Sequence, residues 1–181
     1  RIDVSDSLNN TSIGFGAGDA ITTGSQNVAV GYNAGTSLTS SWGNVSIGYK
    51  ALNTETTGFK NVAIGNEALM TQNGANYNTA VGFEAGEATT TGSSNVFMGF
   101  AAGKANTTGA SNVIIGYNAG DANTTGSYNI AVGQGALTAN TTASNNTAIG
   151  HNTLAANTTG AYNTSVGAYA LDANTTASDN T

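Results

Sequence analysis

The chain has no cysteine, which removes a disulfide framework, a thiol nucleophile and thiolate zinc ligands together. Basic residues are almost as scarce: Arg1, Lys50, Lys60 and Lys104 stand against ten acidic residues, a formal net charge of −6. Nucleic acid is therefore not an expected partner, because phosphate binding needs clustered Lys and Arg, and an anionic membrane surface is disfavoured for the same reason. No apolar run approaches the length of a membrane span, so no membrane insertion is expected, and no signal peptide is visible. His151 is the single histidine and falls in a polar stretch. The calcium-roll signature Gly-Gly-x-Gly-x-Asp is absent. We expect no enzyme, no catalytic residues, no metal site and no cofactor. Arg1 is not an initiator methionine and Thr181 falls inside a repeat, so a segment of a longer chain is expected.

What is present is a period. The pentapeptide Asn-[Val/Thr/Ile]-x-[Val/Ile/Met]-Gly recurs ten times at a spacing of 17 residues, without insertion or deletion. Its first residues are Asn10, Asn27, Asn44, Asn61, Asn78, Asn95, Asn112, Asn129, Asn146 and Asn163, and a truncated eleventh copy starts at Asn180. Residues 1–9 read as a lead-in or cap and 10–181 as the repeat array. Low charge with abundant Gly, Thr, Asn and Ser suits disorder, but disorder gives no reason to hold Val or Ile in one phase ten times. A strict short period means one unit stacked on copies of itself.

Counting each Asn as position 0, positions 1 and 3 are β-branched or apolar, and position 2 is mostly Ala or Ser. That alternation predicts a short strand with position 3 turned to the core. Gly at position 4 predicts a tight turn. Position 7 is almost always Ala, position 8 only Gly or Leu, and position 10 mostly Ala, which reads as a second, narrower strand. Thr-Thr-Gly or Thr-Thr-Ala then closes most repeats as a return turn, with departures at Thr39-Ser40-Ser41 and Asn73-Gly74-Ala75. The expected fold is all-β: a parallel β-roll or β-solenoid with one repeat per coil, each coil about 4.8 Å from the next. Asparagines stacked in register are expected to form an amide ladder, for which Asn27, Asn44, Asn61, Asn78, Asn95, Asn112, Asn129, Asn146 and Asn163 are the candidates.

A coil that buries only about four apolar side chains, several of them Ala, gains less than the entropy cost of ordering it. Small residues at positions 2, 7 and 10 suggest a surface that another backbone approaches closely. Side-by-side association of identical rolls would supply the missing burial, and three around an axis is the expected arrangement.

The block Asn-Val-Ala-Val-Gly-Tyr-Asn-Ala-Gly at 27–35 resembles the head repeats of trimeric autotransporter adhesins. With the Thr-Thr-Gly-Ser link, as between Asn112 and Asn129, the array also resembles repeats of phage-type tail-fibre proteins. The resemblance covers residues 10–181, although the period is longer than is usual in adhesin heads. It implies left-handed parallel β-rolls assembled as a parallel homotrimer. It also implies an extracellular, cell-surface or virion fibre whose shaft or head presents binding regions to a cell-surface glycan or protein receptor.

Position 5 is the candidate ligand-binding column: Phe15, Tyr32, Tyr49, then Phe83, Phe100 and Tyr117, with Asn66 between the two runs. Rings one coil apart can stack and merely stiffen the rod, or they can offer an apolar strip to sugars or a partner. Trp42 and Phe59 at position 15 and Tyr77, Tyr128 and Tyr162 at position 16 lie near the return turn. Lys50 and Glu67 are placed to pair on adjacent coils, and Glu67 with Glu84 is a weaker metal reading. Asn-Thr-Thr triplets starting at Asn106, Asn123, Asn140, Asn157 and Asn174 match glycosylation sequons, which the repeat produces by coincidence. The leading functional class is a structural and adhesive fibre. The alternative is a dedicated ligand-binding solenoid, such as a glycan- or ice-binding protein. A hexapeptide-repeat sugar-modifying enzyme is disfavoured, since its motif would recur about every six residues.

Overall fold

The computed structural model describes residues 7–181, together with the backbone of residues 2 and 3; Arg1, Val4, Ser5 and Asp6, part of the expected lead-in, lie outside the described residues. The chain winds as a parallel β-solenoid that places one short strand per repeat in a single eleven-stranded sheet. Strand β1 is Ile2–Asp3, and the repeats supply β2 (Thr11–Ile13), β3 (Val28–Val30), β4 (Val45–Ile47), β5 (Val62–Ile64) and β6 (Thr79–Val81). They continue as β7 (Val96–Met98), β8 (Val113–Ile115), β9 (Ile130–Val132), β10 (Thr147–Ile149) and β11 (Thr164–Val166). Each strand from β2 onward pairs in parallel with the next, residue n opposite residue n + 17, as in Val62↔Thr79 and Ile64↔Val81. β1 alone is antiparallel, with Ile2 opposite Ile13.

The strands face the opposite way from the sequence expectation. Position 2 points inward, so Ala29, Ala63, Ala80, Phe97, Ile114, Ala131 and Ala148 are buried, and so are Ser12, Ser46 and Ser165. Positions 1 and 3 point outward, and Ile47, Met98 and Ile149 count among the exposed large apolar residues. Ile64 and Ile115, expected beneath the core, are half-exposed. Position 7 and position 2, expected at an outer contact surface, instead line the interior, as at Ala68 and Ala119. The reason is room. A coil of 17 residues returns so soon that only small side chains fit from both walls.

The expected second strand is absent, because positions 5–8 form a continuous turn. Position 8 adopts left-handed backbone in every repeat, from Gly18 at φ 59° to Leu171 at φ 48°. Such geometry cannot belong to a strand. Neighbouring coils are nevertheless bonded there, as by Gly35 N–H to the Ala51 carbonyl at 2.9 Å and Leu52 N–H to the Ala68 carbonyl at 3.0 Å. The position 4 glycine is required by the stack itself. Gly31 has φ 135°, and a Cβ there would stand 2.5 Å from the Gly48 carbonyl oxygen.

The Gly-or-Leu choice at position 8 follows the size of its interior neighbours. Where position 2 is Ala or Ser and position 11 is polar, Leu52, Leu69, Leu137 and Leu154 fill the coil and are fully buried. Where another large side chain is present, position 8 is Gly: a Cβ on Gly35 would come within 2.6 Å of Leu38, and one on Gly120 within 2.8 Å of Ile114. Phe97 imposes glycine on two coils, Gly86 and Gly103. The core thus holds about one large apolar side chain per coil, at whichever wall supplies it, as close packing requires.

Candidate functional surface and the interior ladders

The position 0 asparagines are buried from Asn10 to Asn163. Each side chain bridges two coils. Asn44 Oδ1 accepts the backbone N–H of Asn61 at 2.9 Å and its Nδ2 at 3.1 Å, while Asn44 Nδ2 donates to the Gly58 carbonyl at 2.9 Å. The same pattern holds at Asn95, whose Oδ1 accepts Asn112 N–H at 2.9 Å and whose Nδ2 donates to the Gly109 carbonyl at 2.9 Å. An Asn suits this place because it offers donor and acceptor on a short arm. Asn27, Asn61, Asn78, Asn112, Asn129, Asn146 and Asn163 occupy the equivalent place, each donating to the position 14 carbonyl of its own repeat.

A second amide ladder runs at position 11. Asn123 Nδ2 donates to Asn106 Oδ1 at 3.0 Å, Asn140 to Asn123 at 2.8 Å, and Asn174 to Asn157 at 3.0 Å. These are the sequon asparagines. Asn106, Asn123, Asn140 and Asn157 are buried with both amide ends engaged, so in the folded chain they offer no acceptor nitrogen to a glycosylating enzyme. Further back the column becomes Thr89, Gln72, Glu55, Leu38 and Ile21. Beside it position 12 threonines form a third ladder of hydroxyls donating to the next coil's backbone carbonyl, as Thr107 to Thr124 at 3.0 Å and Thr124 to Thr141 at 2.9 Å, whereas Thr56 donates to the Asn73 side chain.

The position 5 aromatics are all exposed, and their rings stack in two runs. Phe15, Tyr32 and Tyr49 are 5.5 and 5.6 Å apart between centroids, and Phe83, Phe100 and Tyr117 are 5.2 and 5.1 Å apart. Asn66 separates the runs. Stacked rings shield one another's faces and present mainly edges, with whole faces free only at the ends of each run. At the other edge of the strands, Trp42 stacks on Phe59 at 5.0 Å, Phe59 meets Tyr77 edge-on at 5.2 Å, and the Lys60 ammonium lies 5.0 Å from Trp42 and 5.8 Å from Tyr77. Tyr77, Tyr128, Tyr162 and Tyr169 hold left-handed backbone at φ 58–60°, a conformation that bulky residues avoid.

Charges are few and local. Lys50 does not pair with Glu67; its ammonium lies 5.2 Å from the Tyr49 ring centroid. Glu84 is engaged instead by Lys104, at 2.5 Å, with Glu87 at 3.4 Å from the same ammonium. The hydrogen bond to Glu84 raises the Lys104 pKa above the ordinary lysine range, against an opposing desolvation. His151 packs edge-on against Tyr169 at 4.9 Å. Among the described residues no group of three His, Asp or Glu side chains is placed to hold a metal ion. Among the described residues no helix is long and apolar enough to cross a membrane.

Sequence reasoning missed the second amide ladder, although the in-register Asn at position 11 was a readable signal. It also missed that the outer strand face is the apolar one. Between the two aromatic edges, positions 1 and 3 of β2–β11 form an uncovered ribbon of Val, Ile, Thr and Met. No family model, curated protein or solved structure matches the chain.

Proposed function

We propose that the chain is a segment of a homotrimeric adhesive fibre, a shaft or head in which three parallel solenoids pack about a common axis and hold binding regions away from an anchoring surface. The observation that carries this reading is the outward ribbon of positions 1 and 3. Ten strands at about 4.8 Å make it roughly 45 Å long, and at two to three side chains wide it covers on the order of 500 Å². That is the upper end of what a soluble monomer leaves bare. Because the repeat is in register, the same positions face outward in every coil, so the ribbon is continuous and can meet an identical ribbon along its length. A contact that turns by one third closes on itself after three copies and leaves no ribbon exposed. The extracellular setting, the left-handed winding and the trimer number rest on the repeat resemblance as well. Rigidity plus three-fold presentation of each outer surface then gives avidity to weak contacts with a cell-surface glycan or protein receptor.

The test is mass in solution. Light scattering should return about three times the 17.9 kDa of the chain. A folded monomer at micromolar concentration would overturn the reading. A ligand-binding solenoid is the second reading, favoured by the exposed aromatic runs and by tyrosines kept where Asn or Gly would cost less; a glycan array separates it from a passive shaft. The ice-binding version lacks support, because the exposed Thr row at position 13, such as Thr108, Thr125 and Thr142, sits in bends, one residue wide.

A further inference from the structure

Two departures from the repeat touch each other. Glu55 is the only acidic residue buried among the described residues, standing where later coils place Asn. Asn73-Gly74 is the only Asn-Gly pair in the chain, and it replaces Thr-Thr in the next coil. Gly74 N–H donates to Glu55 Oε1 at 2.8 Å, and the Thr56 hydroxyl donates to Asn73 Oδ1 at 2.6 Å. Glu55 is held in place by Thr57 N–H at 3.0 Å, Gly58 N–H at 2.5 Å and the Gln72 amide at 3.0 Å. Asn73 and Gly74 themselves are exposed to water.

We infer that Asn73-Gly74 is a self-modifying site, at which the folded chain converts Asn73 to aspartate and isoaspartate with Glu55 as base and Thr56 as electrophile stabiliser. The Gly74 nitrogen forms a bond to Asn73 Cγ and its proton passes to Glu55 Oε1. Charge developing on Oδ1 is stabilised by the Thr56 hydroxyl. The Cγ–Nδ2 bond then breaks, Nδ2 takes the proton back from Glu55, and ammonia leaves. Solvent water opens the resulting five-membered imide at either carbonyl. Base and oxyanion donor are both within hydrogen-bond reach of the reacting atoms, which is the arrangement that general-base and electrostatic catalysis need. The following residue is Gly, so no side chain crowds the attacking nitrogen. The ladder asparagines differ on each count: they are buried, their amides are engaged on both sides, and Val, Thr or Ile follows them. The product adds one negative charge beside Glu55, and the isoaspartate form adds one backbone atom to a coil whose neighbours keep a strict length. The site lies outside the strand ribbon, so the inference is independent of the trimer.

The experiment follows Asn73 by peptide mass mapping and isoaspartyl methyltransferase labelling during incubation at neutral pH. The folded protein and a synthetic peptide of residues 70–77 are run side by side. The folded chain should react faster than the peptide by about a hundredfold or more, the lower end of what a positioned base supplies. Thr56→Val and Glu55→Gln, with melting recorded for each, should bring the rate back to that of the peptide. Thr56 is only partly buried, so its variant keeps the test open if Glu55→Gln does not fold. A folded chain that reacts no faster than the peptide overturns the inference, and so does a folded Thr56→Val protein that reacts at the full rate.

Discussion

The ring of Phe97 occupies the space that a side chain on Gly103 would need, and it presses on Gly86 in the preceding coil as well. Leu stands at the same left-handed position in five other repeats, so the backbone of Gly103 tolerates a side chain and only the ring forbids it. Gly103→Leu alone should therefore destabilise by about 1–3 kcal/mol through overpacking. Phe97→Ala alone should cost about 3–5 kcal/mol through its cavity. The double variant should be more stable than the sum of the two, with a coupling of 0.5 kcal/mol or more measured by denaturant melts (roughly the threshold for contacting residues). Additive losses would mean that the two sites do not share one space.

Inside and outside can be tested on neighbouring residues. Ala63→Asp buries an unpaired carboxylate and should cost several kcal/mol. Ile64→Asp, one residue on, faces outward and should shift the folding of a single chain by only about 1 kcal/mol. At the ribbon through which we propose that three chains associate, it should abolish that association, read as loss of mass by light scattering. Equal effects on folding from the two variants would contradict the strand orientation.

Asn112→Leu removes the acceptor for Asn129 N–H and the donor to the Gly126 carbonyl. Each orphaned buried group costs about 1–3 kcal/mol, so the melting temperature should fall far more than for Asp121→Ala on the half-exposed turn. Hydrogen exchange should show the damage spreading to the coils on either side.

Gly65→Ala places a methyl group against the Gly82 carbonyl at a backbone φ of 140°. Strain of this kind costs about 1–3 kcal/mol before any clash is counted, and here the clashing atom is backbone that the whole stack holds still. Gly74→Ala, at the open return turn, has no atom within 3.5 Å of its Cβ and should lose less.

Tyr32→Ala and Phe100→Ala interrupt the two ring stacks at their centres. If the column only stiffens the rod, both should lower the melting temperature by an amount matching about 0.5–1.5 kcal/mol per lost ring contact and leave attachment to glycans or cells intact. Loss of attachment with unchanged melting would identify the column as the binding strip.

The period was enough to read the solenoid, the in-register stacking, the strand at Asn-Val-Ala-Val-Gly and the turn glycines, because a strict repeat forces every local choice to be the same choice many times over. The position 0 ladder follows from the same logic: ten identical amides one coil apart have each other within reach. The second strand was misread because Gly and Leu at position 8 look like alternating strand residues, whereas their shared feature is tolerance of left-handed backbone.

The direction of the strand faces was beyond the sequence. Alternation identifies two faces but does not say which one is inside, and hydrophobicity pointed to Ile64 and Ile115. Only the tertiary structure shows that a coil this small admits about one large side chain, Leu, Ile or Phe, among small ones, so the Val and Ile of positions 1 and 3 face out. It likewise decides that Asn106 and its successors are interior ladder rungs, that Phe97 dictates glycine both in its own repeat and in the preceding one, and that Glu55 reaches Gly74. Composition and spacing determine what repeats; contacts between residues 6 to 19 positions apart, set by how tightly the coil closes, determine where each side chain goes.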